Sequence, residues 1–392
     1  MDDLIRKYNV TGRRYTSYPT AVQFREGGER AYAELACSLE DRNRRSRPLS
    51  LYVHVPFCFS LCWYCACTKI ITRDRGRGDH YMDYLEKEMD LLSGRLNPGA
   101  PLQQLHFGGG TPTFLEPAQL LRLGDALRER FQFTGQTEFS VEIDPRRCTR
   151  AHVQALAAIG CNRASLGVQD TNPEVQKAIH RVQPTEQVER VCRWLREEGI
   201  RSINFDLIYG LPRQSRQTFG KTLEEVTDLG PDRLAVYSYA HLPSRVPAQR
   251  LLEREDLPSA DEKIAMLRLA IDHLDREGYR FIGMDHFARE GDELVEAMAS
   301  GDLHRNFQGY STRSGADLYA LGMSGISGAG GWYWQNAKEL GDYYRELDRE
   351  GCPSPNTPAW TAMTKYAAWS SAASCAAWVL TLPKSSGAGV ST

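Results

Sequence analysis

Short apolar, β-branched runs recur along the first two thirds of the chain, and each closes in a polar or glycine-rich stretch. "LSLYVHVPF" (49–57), "LQQLHFGGG" (102–110), "EFSVEIDP" (138–145), "NRASLGVQD" (162–170), "RSINFDLIYG" (201–210) and "DRLAVYSYAH" (232–241) read as six strands. Helical patterns fill the gaps: "DHYMDYLEKEMDLLSGRL", "EPAQLLRLGDALRERF", "TRAHVQALAAIG", "PTEQVERVCRWLREEG" and "SRQTFGKTLEEVTDLG", with Gly160 as a helix stop. Strand–helix alternation predicts right-handed βαβ units on a parallel sheet. Six such units predict an α/β fold, a TIM-like partial (βα)6 barrel that does not fully close. Chemistry on barrels sits where strands end. Here those ends carry the unusual residues: a cysteine cluster, "GGGTP", "EIDP", "GVQD", "FDLIYG" and "SYAHLP".

Beyond residue 245 the pattern changes. "SADEKIAMLRLAIDHLDREGY" (259–279) predicts a helix and "RFIGMDHFAR" (280–289) one strand. "NFQGYSTRSGADLYALGMSGISGAGGWYWQN" (306–336) reads as a loop whose glycines and aromatics form a wall near a ligand. The expected organisation is an N-terminal arm (1–46), a barrel (47–245), an extension and active-site wall (246–351) and an atypical tail (352–392).

Composition narrows the classes. With 41% hydrophobic residues and a formal net charge of −2, the chain has an ordinary soluble globular balance and no electrostatic footprint for nucleic acid. No apolar run approaches the ~20 residues that span a bilayer. The start, "MDDLIRKYNVTGRRYTSYPT", has no apolar signal region, so a cytoplasmic setting is expected. There, clustered cysteines point to metal binding or catalysis and not to disulfides. Of the 10 cysteines, Cys37, Cys148, Cys161, Cys192, Cys352 and Cys375 are scattered and read as buried small hydrophobes.

The remaining cysteines, Cys58, Cys62, Cys65 and Cys67, lie in "HVPFCFSLCWYCACTKI". Three chemistries compete for them. A structural zinc site wants four closed ligands, usually as two separated Cys-x2-Cys pairs, and no second pair exists. A redox dithiol needs only a pair. A [4Fe–4S] cluster accepts thiolates, and three of them leave one iron open.

Cys58-x3-Cys62-x2-Cys65, with Tyr64 before the third cysteine, resembles the signature of radical S-adenosylmethionine enzymes. There, three cysteines hold a [4Fe–4S] cluster whose open iron is chelated by S-adenosylmethionine, and the partial barrel is the shared fold. The segments "RRYTSYPTA", "YVHVPFC", "HFGGGTPT", "GVQD", "FDLIYGLP", "YAHLP", "GMDHFA" and "LHRNFQGY" narrow the resemblance to the oxygen-independent coproporphyrinogen III oxidases, over about residues 10 to 350.

That resemblance implies the site. Cys58, Cys62 and Cys65 would bind the cluster, while Cys67 lies beside it as a surplus thiol and joins Tyr52 in the catalytic set. Tyr52, Gly109, Glu142 and Ile326 match positions around one S-adenosylmethionine. Tyr64, Gly110, Thr111, Gln169, Arg181, Asp206 and Ala240 match positions around a second. Glycines 108–110 would let backbone approach a cofactor closely, and Glu142 would accept from ribose hydroxyls. Arg181 and Asp206 would pair with each other or with the second cofactor. His54 either donates to a cluster sulfur or is a buried structural histidine. Arg14, Tyr15 and Tyr18 would hold propionates of the substrate.

The implied reaction converts two propionates of coproporphyrinogen III to vinyls by a 5′-deoxyadenosyl radical, giving protoporphyrinogen IX. It needs an unidentified electron donor and acceptor, and the chain is expected to be a monomer. The alternatives are a haem-handling radical enzyme or chaperone of the same superfamily, and a non-catalytic iron–sulfur or haem carrier. Production of 5′-deoxyadenosine would separate an enzyme from a carrier.

The last residues depart from this picture. From residue 352 onward the chain is rich in Ala, Ser, Thr and Trp, carries few charges, and shows no helix or strand period. The resemblance implies a helical domain there, covering the barrel mouth. Back-translated with GC-rich codons and read one frame over, residues 362–392 can spell an amphipathic, charged sequence. A reading-frame shift near residues 352–362 is therefore expected, the other reading being a genuine disordered terminus. Sequencing the gene decides between them.

Overall fold

The computed structural model describes residues 24, 29–252, 257–306, 309–313 and 315–349, and the backbone of 360–365. Arg14, Tyr15 and Tyr18 lie outside the described residues, as does the tail apart from 360–365.

Helix α1 (Glu29–Arg44) leads into β1 (Leu49–Val55). The cysteine loop lies between two short strands, β2 (Phe57–Cys58) and β3 (Ile70–Ile71). The alternating segment then runs α2 (Gly76–Ser93), β4 (Pro101–Gly109), α3 (Pro117–Arg130), β5 (Gln132–Ile143), α4 (Arg150–Ala158), β6 (Arg163–Gln169), α5 (Pro173–Ala178), α6 (Thr185–Glu197), β7 (Ser202–Tyr209), α7 (Arg216–Asp228) and β8 (Arg233–Ser238). It is followed by α8 (Ala260–Arg276), β9 (Tyr279–Gly283), β10 (His286–Arg289), α9 (Glu293–Ser300), β11 (His304–Asn306), β12 (Gly309–Ser311), β13 (Asp317–Leu321), β14 (Ile326–Ala329), β15 (Trp332–Asn336), α10 (Leu340–Arg349) and β16 (Trp360–Lys365).

The six predicted strands are β1 and β4 to β8, parallel and neighbouring in chain order. They form the middle of a 12-stranded sheet ordered β16-β15-β14-β13-β1-β4-β5-β6-β7-β8-β10-β9. This is the partial-barrel arrangement. Residue 160 is the predicted helix stop, a glycine at φ +87°.

Four expectations are corrected, the first being Cys37, expected buried but exposed on α1. The predicted loop over 306–336 is largely strand: β13 adds in parallel beside β1, and β14 and β15 follow antiparallel. "DLYAL" of β13 is buried along its whole length, so it lacks the alternation that marks a half-exposed strand. Ala329 pairs with Trp332 across Gly330 and Gly331, both at positive φ, the conformation a two-residue hairpin turn demands. The predicted strand over 280–289 is a hairpin, β9–β10, turning at Met284 and Asp285, with β10 antiparallel to β8. Residues 360–365, read as aperiodic, form β16 on the edge of β15.

Side chains alternate across the barrel strands. The outer set, including Val53, Phe107, Phe139, Val141, Leu166 and Phe205, is fully buried against the helices. Each such side chain contributes about 1.5–3 kcal/mol of burial. The inner set is polar: Ser50, Tyr52, Gln104, His106, Ser140, Glu142, Ser165, Asn204 and Asp206. Barrels of this kind are ordinarily filled with branched apolar residues. Here most of the polar set instead lines a cavity of about 180 Å³ in the barrel.

Candidate active site

The cysteine loop leaves β1 at the strand's C-terminal end. Its neck is closed by β2 and β3, where Cys58 pairs with Ile71. His54, the last inward-facing residue of β1, is buried, which lowers its pKa and keeps the ring neutral. Its Nε2 lies 3.1 Å from the Thr68 carbonyl oxygen, which can only accept. The proton therefore sits on Nε2, and Nδ1 accepts from the Tyr52 hydroxyl at 3.1 Å. Both ring nitrogens are used, so His54 is a structural link between β1 and the loop and not a donor to a thiol.

A second element grips the loop from the other side. The Trp63 amide donates to Ile179 O, the Trp63 and His180 rings stack at 5.2 Å, and His180 Nδ1 donates to Leu61 O at 2.8 Å. His180 adopts φ +56°, a costly conformation outside glycine, and delivers the next residue, Arg181, into the interior.

Arg181 and Arg146 converge on Cys62. Each guanidinium places a nitrogen 3.5 Å from Cys62 Sγ. Asp144, at the end of β5, lies between them, 2.6 Å from Arg146 Nη2 and 3.3 Å from Arg181 Nη1. Burial alone would raise the Asp144 carboxyl, but the two cations overrule it and hold it down at about 2. Cys58 Sγ lies 3.4 Å from the Thr111 hydroxyl, and burial pushes this thiol up to about 11. Cys65 shares a hydrogen bond with Cys67; the bond lowers Cys65 to about 6 and raises Cys67.

Among the described residues no three His, Cys, Asp or Glu groups meet at a point that a single ion would occupy. A cluster takes one thiolate per iron, so its ligands need not meet at a point. Three soft thiols on one short loop, with two guanidinium donors already at the Cys62 sulfur, suit an anionic iron–sulfur cluster.

The other strand ends surround this loop. Gly109 has φ +114°, and a Cβ there would stand 2.8 Å from the His54 ring; one on Gly110 would stand 2.5 Å from Pro56 O. These glycines let β4 pass close to the base of the loop. The Glu142 carboxylate accepts from the Gly109 amide at 3.1 Å and lies 3.4 Å from His106 Nε2. His106 stacks on Tyr52 and its Nδ1 is 2.6 Å from Ser140 Oγ. Tyr52, Glu142 and the glycine turn therefore share one corner.

Asp206, on β7, accepts from Ser165 and Asn204 at 3.1 and 2.9 Å. It does not pair with Arg181, whose carboxylate partner is Asp144. Burial, reinforced by the charge of Glu142, raises Asp206 to about 7. Gln169 occupies a bulge on β6 at φ +69°. A Cβ on Gly167 would be 2.8 Å from its amide nitrogen. Tyr64 and Ala240 are tied by one residue: Gln249 Nε2 donates to both of their carbonyl oxygens, at 3.0 and 3.1 Å. Ile326 starts β14, next to Gly325, which packs on Ala320, the residue in register with Tyr52.

Most of the predicted cofactor residues thus lie at or beside the C-terminal ends of β1, β4 to β8 and β13, while Tyr52 and Asp206 lie deeper, within β1 and β7. Sequence reasoning missed Asp144, Arg146, His106 and Gln249 as supports. Asp144 and Arg146 had a signal, since "EIDPRR" places charge directly after a buried strand. Gln249 had none, because it acts across 185 positions of chain.

Comparison with known proteins bears on this arrangement. Residues 52–226 match the Radical SAM superfamily. The oxygen-independent coproporphyrinogen III oxidase of Escherichia coli is 49% identical over 349 residues, covering 89% of this chain and 75% of the relative. Those of Pseudomonas aeruginosa and Helicobacter pylori are 48% and 45% identical over 88% and 87% of the chain, again spanning 75% of each relative. The solved structure of the E. coli coproporphyrinogen III oxidase, described as a radical SAM enzyme, superposes with a TM-score of 0.85 at 45% identity, over 93% of this chain and 80% of that one. With the cysteine loop set at the strand ends of a matching fold, the chain belongs to the oxygen-independent coproporphyrinogen III oxidase family of radical S-adenosylmethionine enzymes.

Proposed function

We propose that this chain oxidatively decarboxylates two propionate side chains of coproporphyrinogen III to vinyls without oxygen, giving protoporphyrinogen IX. Cys58, Cys62 and Cys65 hold a [4Fe–4S] cluster, and two molecules of S-adenosylmethionine occupy the strand-end groups around it. The observation that carries the reading is the setting of Cys62: a thiol at the mouth of a parallel barrel, hydrogen-bonded by two guanidiniums that share one buried carboxylate.

When bound, the cluster held by Cys58, Cys62 and Cys65 and its S-adenosylmethionine would supply the radical chemistry that activates a propionate C–H bond. The residues described here bind, orient and shield. The Arg146–Asp144–Arg181 triad brings two guanidinium donors to Cys62 Sγ and fixes where that sulfur sits. Glu142, fixed by the Gly109 amide, keeps lone pairs for hydroxyl donors of a ribose. Asp206, held near neutrality, changes charge when a cation such as a sulfonium or ammonium arrives. Tyr52, locked by His54 and His106, forms a rigid wall beside the same corner. Rigidity and exclusion of water matter because a reactive radical attacks whatever C–H bond is nearest. The two-cofactor stoichiometry, the electron acceptor and a monomeric state belong to this proposal.

The test is anaerobic reconstitution with iron and sulfide, followed by turnover with coproporphyrinogen III, S-adenosylmethionine and a chemical reductant. Mass spectrometry should find loss of two carboxyl groups together with 5′-deoxyadenosine. Cofactor cleavage with the tetrapyrrole unchanged would refute the substrate. Intact cofactor and intact tetrapyrrole, with a cluster present, would refute the radical reaction.

A further inference from the structure

A hollow of about 410 Å³ lies beside the cysteine loop and shares no lining residue with the barrel cavity. Phe59, Arg146, Arg147, His180 and Val182 form most of its wall. Arg146 joins it to the loop, since the same guanidinium reaches Cys62 Sγ at 3.5 Å. From this side, the Arg146 side chain links the wall of the hollow to a thiol of the cysteine loop.

Its surface has an apolar centre and a cationic rim. Val182 is 58% exposed, unusual for a valine on a rigid segment. The Phe59 ring lies under two guanidiniums, Arg75 at 4.5 Å and Arg147 at 5.7 Å. Arg147 is exposed and pairs with no carboxylate among the described residues. The one acid in the wall, Asp144, is already matched by Arg146 and the buried Arg181. The hollow is therefore locally positive on a chain of net charge −2. It is also stiff, because the Trp63–His180 stack and the His180–Leu61 hydrogen bond fix its two sides together.

We propose that this hollow is the docking site of an acidic, low-potential one-electron carrier protein, which reduces the cluster from the Cys62 side. The inference rests on the cluster reading given above. Each encounter moves one electron: the carrier's reduced centre is oxidised, and [4Fe–4S]2+ becomes [4Fe–4S]1+, with no bond made or broken. Transient electron-transfer contacts are small, and opposite charge mainly raises their association rate. A cationic, apolar-centred patch beside the redox loop, on a chain of net charge −2, fits that kind of partner.

The test uses the reconstituted chain and, as probe, a reduced plant-type [2Fe–2S] ferredoxin, an acidic carrier of low potential. Stopped-flow absorbance follows cluster reduction in wild type and in the R147E/V182E double variant, neither residue hydrogen-bonding to Cys58, Cys62 or Cys65. The variant should be reduced by ferredoxin about tenfold more slowly at low salt. Its dithionite-driven reduction and iron content should match wild type. The wild-type ferredoxin rate should fall as salt rises, and the variant's should be nearly flat. Equal ferredoxin rates in the two proteins, a salt-independent wild-type rate, or no reduction of wild type by ferredoxin overturns the proposal. Failure to bind iron at all counts instead against the cluster reading. Docking is then read from binding of oxidised ferredoxin to the iron-free chain, where unchanged affinity in R147E/V182E overturns it.

Discussion

Asp206 shows how burial of a single carboxyl in this site costs the fold stability. Its carboxyl in the folded chain titrates at about 7, against an ordinary 3.8. Between these values the folded chain holds a proton that the unfolded chain has released. Stability therefore falls as pH rises from about 4 to 7, and the full cost is present above 7. D206N keeps the shape and removes the charge. It should melt a few degrees above wild type at pH 8, for up to about 4 kcal/mol, with the gain disappearing near pH 4. The same difference at both pH values would mean that the carboxyl is not buried as described. The cysteines give a second residue-level expectation. C58S, C62S and C65S should each lose cluster iron on reconstitution, and C67S should keep it, as measured by iron and sulfide analysis; loss in C67S would make it a ligand.

Among the elements, the turn after β4 and the loop after β5 set the site's geometry. G110A would force a methyl group to 2.5 Å from Pro56 O, which is backbone and cannot move aside cheaply. The expected cost is about 2–4 kcal/mol in urea unfolding, with weakened cluster loading because the base of the loop shifts. D144N leaves two guanidiniums, one of them buried, without their shared anion. It should cost about 3 kcal/mol by the same measurement. An unchanged midpoint in either variant would show that the packing is looser than described. The βαβ core was legible because each unit carries its own periodicity and stops. β13 to β15 were not, because "DLYAL" is buried on both faces and the glycines around it read as loop. Even so, "GG" between apolar residues is a hairpin signal that could have been weighed. The cysteine loop and the glycine turn were legible as local motifs. The supports were not: the Arg146–Cys62 and Gln249–Tyr64 contacts join segments 84 and 185 residues apart, and only the closed fold brings them together.

For the whole molecule, the account makes the barrel a rigid holder. Its outer strand faces are packed apolar and its inner faces polar, and the redox loop is clasped at the mouth from two sides. Among the described residues no helix is long and apolar enough to cross a membrane. The chain spans about three quarters of the length of the relatives it matches, so the test must be made on this chain as it stands. The most direct measurement is the EPR spectrum of the anaerobically reconstituted, dithionite-reduced protein, recorded with and without S-adenosylmethionine. The account predicts a [4Fe–4S]1+ signal whose g-values shift when the cofactor is added, the sign of an iron open to it. A reduced cluster whose spectrum ignores the cofactor, or a folded chain that assembles no cluster, would contradict it.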